Sequence, residues 1–140
     1  VRYAPAEHAQ KGAYILSVAK EAHPQVVIYA TGSEVSLALS VQELLEKGGL
    51  SVQVVSMPSW EVFSRQEATY QDLVLGPKDA LKVSIEAGVT LGWQKWVGTQ
   101  GITIGIDRFG ASAPDQVLLK EYGFTPDQIV QKIRDRFTAV

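Results

Sequence analysis

Cysteine is absent from the 140 residues, so thiol catalysis, thiolate metal sites and disulfides are all excluded. Histidine occurs only as His8, in the opening stretch, and His23, which precedes Pro24 in a turn. Neither sits in a recognisable acid–base motif, and both read as surface histidines. No apolar run approaches the ~20 residues of a membrane span, and no charged, apolar, small-residue signal opens the chain. Charge of either sign is modest: 13 Lys plus Arg against 15 Asp plus Glu give a formal −2. Where charged residues adjoin, as at Glu46-Lys47 or Arg134-Asp135-Arg136, their signs alternate. The cations are scattered from Arg2 to Arg136 with no basic stripe, which argues against a nucleic-acid or membrane partner, since either needs clustered Lys and Arg. The only methionine is Met57 and the first residue is Val1, so the chain is expected to be an excised piece. A cytoplasmic location is expected, with any targeting segment lost along with the missing part.

What is present is the composition of one ordinary globular domain: 46% apolar, 20% charged, 12 Gly and 6 Pro. A domain of this length buries roughly 70% of the surface its unfolded chain exposes, so one core supports it without a metal or cross-link. Five short apolar runs read as strands: Ala13 to Val18, Val26 to Ala30, Val52 to Ser56, Leu81 to Ile85 and Ile102 to Ile106. Several are nearly continuous, which fits strands covered on both faces, as in α/β proteins. Glu34 to Lys47 carries Val35, Ala38, Val41, Leu44 and Leu45 at helical spacing and stops at Gly48-Gly49, giving a right-handed βαβ unit. The link Ala19 to Gln25 is too short for a parallel crossover, so the first strand is antiparallel to the second or is not its neighbour. Two helices close the chain, Pro114 to Tyr122 and Pro126 to about Phe137. In the second, Thr125 and Gln128 have capping-box spacing, Pro126 takes the first helical position, and Phe124 and Ile129 form a staple. Ile129, Val130, Ile133 and Phe137 are its expected buried stripe, with Lys132, Arg134 and Asp135 facing water. Residues 1–10 read as a lead-in from an upstream domain, and 11–140 as the domain itself.

The residues offer little chemistry. Gly101-Ile102-Thr103-Ile104-Gly105 lies within a strand and lacks a following Lys-Ser/Thr pair, so it is not a phosphate loop. No set of carboxylates has metal-ligand spacing. Thr31-Gly32-Ser33-Glu34 marks a strand-to-helix turn: Ser33 is placed to cap the helix and Gly32 to take a positive φ. Thr31, Gly32 and Ser33 are the candidate anion-binding residues, with a plain cap as the simpler reading. Asp107 to Pro114 forms a second such turn, where Arg108 is better placed for an ion pair with Asp107 or a partner domain than for a ligand. With parallel strands, Thr31, Ser56, Glu86 and Asp107 share the carboxyl edge of one sheet, where α/β folds place ligands. Trp60 with Phe63, and Trp93 with Trp96, form i, i+3 aromatic pairs. Core packing is their default role; exposure of the Trp93 and Trp96 region or of the carboxyl edge, as apolar surface covered by a neighbouring domain or second subunit, is the alternative.

Several motifs in order are similar to one family. Ala30-Thr31-Gly32-Ser33-Glu34-Val35, Val55-Ser56-Met57-Pro58-Ser59-Trp60 followed by Phe63, Gln66 and Tyr70, Ile85-Glu86-Ala87-Gly88, Gly92-Trp93 with Lys95 and Val97-Gly98, and Asp107 to Pro114 together resemble the C-terminal domain of transketolase. The resemblance runs from about Gly12 to Phe137. It departs at Val74-Leu75-Gly76-Pro77-Lys78-Asp79, where the family has a more compact Val-Leu-Pro turn. It implies a three-layer α/β/α domain with a five-stranded mixed sheet whose first strand is antiparallel. It further implies a parent enzyme, a homodimer, that moves two-carbon ketol units between sugar phosphates. Thiamine diphosphate and a divalent cation, magnesium or calcium, are held in its N-terminal and middle domains. The Gly-Asp-Gly segment of that cofactor site does not occur here, so no catalytic, cofactor or metal residue is carried over, and the domain's implied role is structural or regulatory. Two rival readings are a free-standing anion- or nucleotide-binding module and the equivalent domain of another thiamine-diphosphate enzyme.

Overall fold

In a computed structural model, the residues described are 6–87, 91–105, 120, 121 and 123–138. The strands are β1 (Tyr14–Ser17), β2 (Val26–Ala30), β3 (Val52–Ser56), β4 (Leu81–Glu86) and β5 (Ile102–Gly105). The helices are α1 (Glu34–Lys47), α2 (Trp60–Ser64), α3 (Ala68–Leu75), α4 (Gln94–Val97) and α5 (Pro126–Thr138), preceded by a 3₁₀ turn at Ala6–Lys11. The strands form one sheet in the order β1-β3-β2-β4-β5. All neighbours are parallel except β1, which runs antiparallel to β3. The short link thus resolves by its second branch: β1 does not touch β2 but crosses to the far side of β3.

Both faces of the sheet are covered. Val26, Ile28, Ala30, Val52, Val54, Val83 and Ile85 point toward α1 and α5, where they meet Ala38, Val41, Leu45, Ile129 and Ile133. The alternate residues Val27, Tyr29 and Val55 point the other way, onto Phe63, Val74, Trp93 and Trp96 of the α2–α4 layer. The result is the expected three-layer α/β/α arrangement, and it explains the nearly unbroken apolar runs, because every residue of β2 and β3 is buried.

Most polar groups that enter this core have partners; among the described residues the Trp96 indole nitrogen, buried without one, is an exception. Gln42 on α1 donates from Nε2 to the Val52 carbonyl at 2.8 Å and accepts from the Ser17 hydroxyl at 2.9 Å, tying α1 to both β3 and β1. Gln53 donates to the Val74 carbonyl at 3.1 Å, and the Tyr29 phenol donates to the Leu75 carbonyl at 2.7 Å. Burial raises the pKa of that phenol well above the usual tyrosine value, so it stays protonated and remains a donor.

Three local expectations change. Ser33 adopts helical φ −66° and ψ −19° and makes no side-chain cap; the amides of Glu34 and Val35 donate instead to the carbonyls of Thr31 and Gly32, at 3.2 and 3.3 Å. Phe137 is 39% exposed rather than part of the α5 stripe, because the helix runs past the edge of the core that Ile129, Val130 and Ile133 fill. The capping box at the start of α5 is half formed: the Gln128 amide donates to Thr125 Oγ1 at 3.3 Å, while the Gln128 side chain bonds that same hydroxyl and the Lys120 carbonyl. The staple holds, with Phe124 and Ile129 both buried. The turn Asp107 to Pro114, Arg108 within it, residue Ile106 and all of the Pro114 to Tyr122 helix except Lys120 and Glu121 lie outside the described residues.

The tightest backbone approach is at Gly12, with φ +85°. Its carbonyl accepts from the Ser59 amide at 2.9 Å, and a Cβ there would sit 2.3 Å from the Phe63 nitrogen and 2.5 Å from the Ser59 carbonyl oxygen. Gly49, at φ +96°, has open space where a Cβ would go. Gly12→Ala is expected to cost more than about 3 kcal/mol, and Gly49→Ala only about 1–2 kcal/mol from backbone strain. Urea unfolding midpoints check this, and equal shifts for the two variants would contradict the close approach.

Candidate functional site at the carboxyl edge of the sheet

The register places Ala30 beside Ser56 and Ile85, and Glu86 beside Gly105, so the ends of β2 to β5 share one edge. The segments leaving that edge enclose a cleft of about 360 Å³, lined by Thr31 from β2, Met57 to Glu61 from β3, Glu86 from β4, and Trp93. Of the four residues expected at this edge, Thr31, Ser56 and Glu86 are there, and Asp107 lies outside the described residues.

Each wall has a local cause. Ser59, extended at φ −148° and ψ 108°, accepts the Val62 amide at 3.3 Å and so starts α2 with Trp60 as its first residue. Trp60 stands edge-on to Trp93, with ring centroids 5.0 Å apart and planes at 88°. Gly92 makes that possible: a Cβ there would lie 2.6 Å from Trp60 Cζ3, and its φ of +96° disfavours any other residue. The Trp93 indole nitrogen donates to the Glu86 carboxylate. Periodicity does not point to this pair, because a separation of seven positions that starts at the end of a strand matches no strand or helix face. The glycine directly before Trp93 was the available signal.

The cleft is lined by the carboxylates of Glu61 and Glu86 and by the hydroxyl-bearing Thr31 and Ser59. Glu61 is already bonded to Arg65 at 2.8 Å. Neither histidine lines it; His8 packs edge-on against Tyr14, and His23 pairs with Asp79 at 2.9 Å. Among the described residues no group of three or more His, Asp or Glu converges in a metal-binding arrangement.

Thr31, Gly32 and Ser33 are brought together as expected, and Gly32 has the expected positive φ of +60°. The turn carries its own anion. The Ser33 hydroxyl donates to Glu34 Oε1 at 2.8 Å, and the other Glu34 oxygen lies 3.9 Å from where a Gly32 Cβ would be. Glu34 is a favourable charge for the amino end of α1, and its charge opposes a second anion there.

Of the aromatic pairs, Phe63, Trp93 and Trp96 are core, and Trp60 is half-buried against them at the cleft. Trp93 is 1% and Trp96 8% exposed, and Phe63 is fully buried. Exposure of these tryptophans is therefore ruled out; the large apolar side chains exposed among the described residues are Val18, Leu73, Leu91 and Phe137, with Leu91, at 86%, beside the Gly92-Trp93 turn. The isolated Trp60→Phe variant should show acrylamide quenching well below that of free indole. Quenching as efficient as free indole would put Trp93 or Trp96 at the surface.

Comparison with known proteins agrees with the geometry. The family described as transketolase-like TK C-terminal domain matches residues 12–125. The chain is 47% identical over 128 residues to a transketolase of Geobacillus stearothermophilus, covering 91% of this chain and 19% of that protein. It is 46% identical over 125 residues to the chloroplastic transketolase of Zea mays, covering 89% and 18%. The structure of transketolase from Leishmania mexicana superposes with a TM-score of 0.81 at 41% identity, over 94% of this chain and 19% of that one. The chain thus spans about a fifth of the length of these relatives, and the matches favour neither a free-standing anion-binding module nor a domain of another thiamine-diphosphate enzyme. By sequence and by fold, this chain belongs to the transketolase C-terminal domain family.

Proposed function

We propose that the chain is the C-terminal domain of a transketolase that transfers two-carbon ketol units between sugar phosphates, and that it contributes no reacting group itself. The observation that carries this reading is the match over nearly all of this chain to one fifth of much longer transketolases. Thiamine diphosphate, with magnesium or calcium, supplies the nucleophilic carbon for ketol transfer when bound, and on this reading the N-terminal and middle domains hold it. The cleft at the carboxyl edge fits that division of labour, because a diphosphate is held best by cations and the charged groups lining the cleft are the carboxylates of Glu61 and Glu86. On the same reading residues 1–10 lead in from the middle domain, the parent is a homodimer, and its compartment is the cytoplasm, although the maize relative is by name chloroplastic.

Anion binding at Thr31, Gly32 and Ser33 takes a conditional form in this proposal: it requires the Glu34 carboxylate to leave the turn. Phosphate should then move the amide shifts of Thr31 to Val35 in Glu34→Gln but not in the unsubstituted chain. Unmoved shifts in both would leave the turn a purely structural one.

Titration of the 140-residue chain with thiamine diphosphate and magnesium should give no saturable heat at micromolar ligand, and the chain alone should show no ketol transfer. Saturable heat would overturn the assignment of the cofactor site to the other domains.

A further inference from the structure

A second cavity, of about 480 Å³, lies at the opposite end of the sheet, under the amino-terminal ends of β4 and β5. It is built by the turn between α3 and β4, the loop between α4 and β5, and the last turn of α5. The turn contains Gly76-Pro77-Lys78-Asp79, the stretch where the sequence departs from the transketolase pattern. Three cationic side chains, Lys78, Lys82 and Arg136, line the cavity, and its one carboxylate, Asp79, is held by His23 at 2.9 Å.

Two of the cations are fixed in place. The half-buried Lys82 ammonium donates to the carbonyls of Pro77 and Ala80, and an ammonium has three protons to give. Burial lowers its pKa from the usual lysine value, with the Asp79 charge opposing the shift, so an arriving anion would favour its charged form. The Arg136 guanidinium donates through Nη2 to the Gln100 carbonyl, using one of five donors. Lys78 makes no ion pair with a described carboxylate. Beside these cations the wall is apolar, from Val97 and Phe137. Phe137 is the residue that α5 leaves outside the core, and here it has a surface to serve.

We propose that this cavity binds a small phosphomonoester, with the phosphate held among Lys78, Lys82 and Arg136 and the carbon skeleton against Val97 and Phe137. Cations from three separate elements line one space, which suits the several oxygens of a phosphate better than a flat carboxylate, and guanidinium is the side chain that matches phosphate geometry best. The volume is that of a small-molecule site. The inference rests on this chain's own residues and stands apart from the reaction proposed for the parent.

The test is amide NMR of the ¹⁵N-labelled chain titrated with glycerol 3-phosphate, inorganic phosphate and chloride at constant ionic strength. Glycerol 3-phosphate should give saturable shifts at Lys78 to Lys82 and at Gly98 to Gly101, several-fold tighter than inorganic phosphate, while chloride gives none. The double variant Lys78→Gln, Arg136→Gln should weaken the ester by at least about tenfold while keeping its dispersed spectrum. Non-saturating shifts, equal responses to chloride, equal affinity for inorganic phosphate, or a response confined to Thr31 to Val35 would overturn the proposal. If the double variant loses its dispersed spectrum, Phe137→Ala replaces it, and an unchanged preference for the ester over inorganic phosphate in that variant would likewise overturn it.

Discussion

The burial of β2 and β3 on both faces is the constraint on which the rest of the structure depends. All five residues of each strand are buried, so a polar side chain that enters the layers around them is costly unless it brings its own partner, and among the described residues the Trp96 indole nitrogen is left without one. Gln42, Gln53 and Tyr29 meet that condition by bonding main-chain carbonyls of β3 and α3, and these bonds fix α1 and α3 against the sheet. A sheet sealed on both faces leaves only its two ends for ligands. The carboxyl end carries the acidic, aromatic cleft and the amino end carries the basic cavity.

The central βαβ unit was legible in the sequence because its signals coincide. Val26–Ala30 and Val52–Ser56 are apolar runs between turn residues, and Glu34–Lys47 has helical periodicity and a Gly-Gly stop. The length of the link to β2 showed that β1 could not be its parallel neighbour, while the antiparallel direction it takes beside β3 was implied only by the family resemblance. The two helix-starting serines were not distinguishable. Ser59 is extended and its hydroxyl reaches the Val62 amide, whereas Ser33 is already helical and its hydroxyl turns to Glu34. That difference is set by the incoming backbone, which for Ser59 is pinned by its bond to the Gly12 carbonyl 47 residues earlier. Phe137 fails for a similar reason: its spacing continues the α5 stripe, but periodicity does not say where the sheet beneath the helix ends.

At the carboxyl edge, position was readable and pairing was not. The order of strands and turns puts Thr31, Ser56 and Glu86 together, as any parallel α/β sheet does. The bond from Trp93 to Glu86 and the edge-on contact of Trp60 with Trp93 are tertiary, and only Gly92 hinted at them. The edge is therefore shaped by packing, with the Glu86 carboxylate bonded to the Trp93 indole and that of Glu61 to Arg65.

If residues 12–138 act as a transketolase C-terminal domain that supplies no reacting group, they should be exchangeable with that of a relative. Replacing the matching segment of the Geobacillus stearothermophilus transketolase by residues 12–138 of this chain, and measuring kcat and KM for ketol transfer together with thiamine diphosphate affinity, is the direct test. All three should stay within about tenfold of the parent values. A chimera that folds and binds thiamine diphosphate normally yet loses kcat by several orders of magnitude would contradict it, because a reacting group would then reside in the exchanged segment.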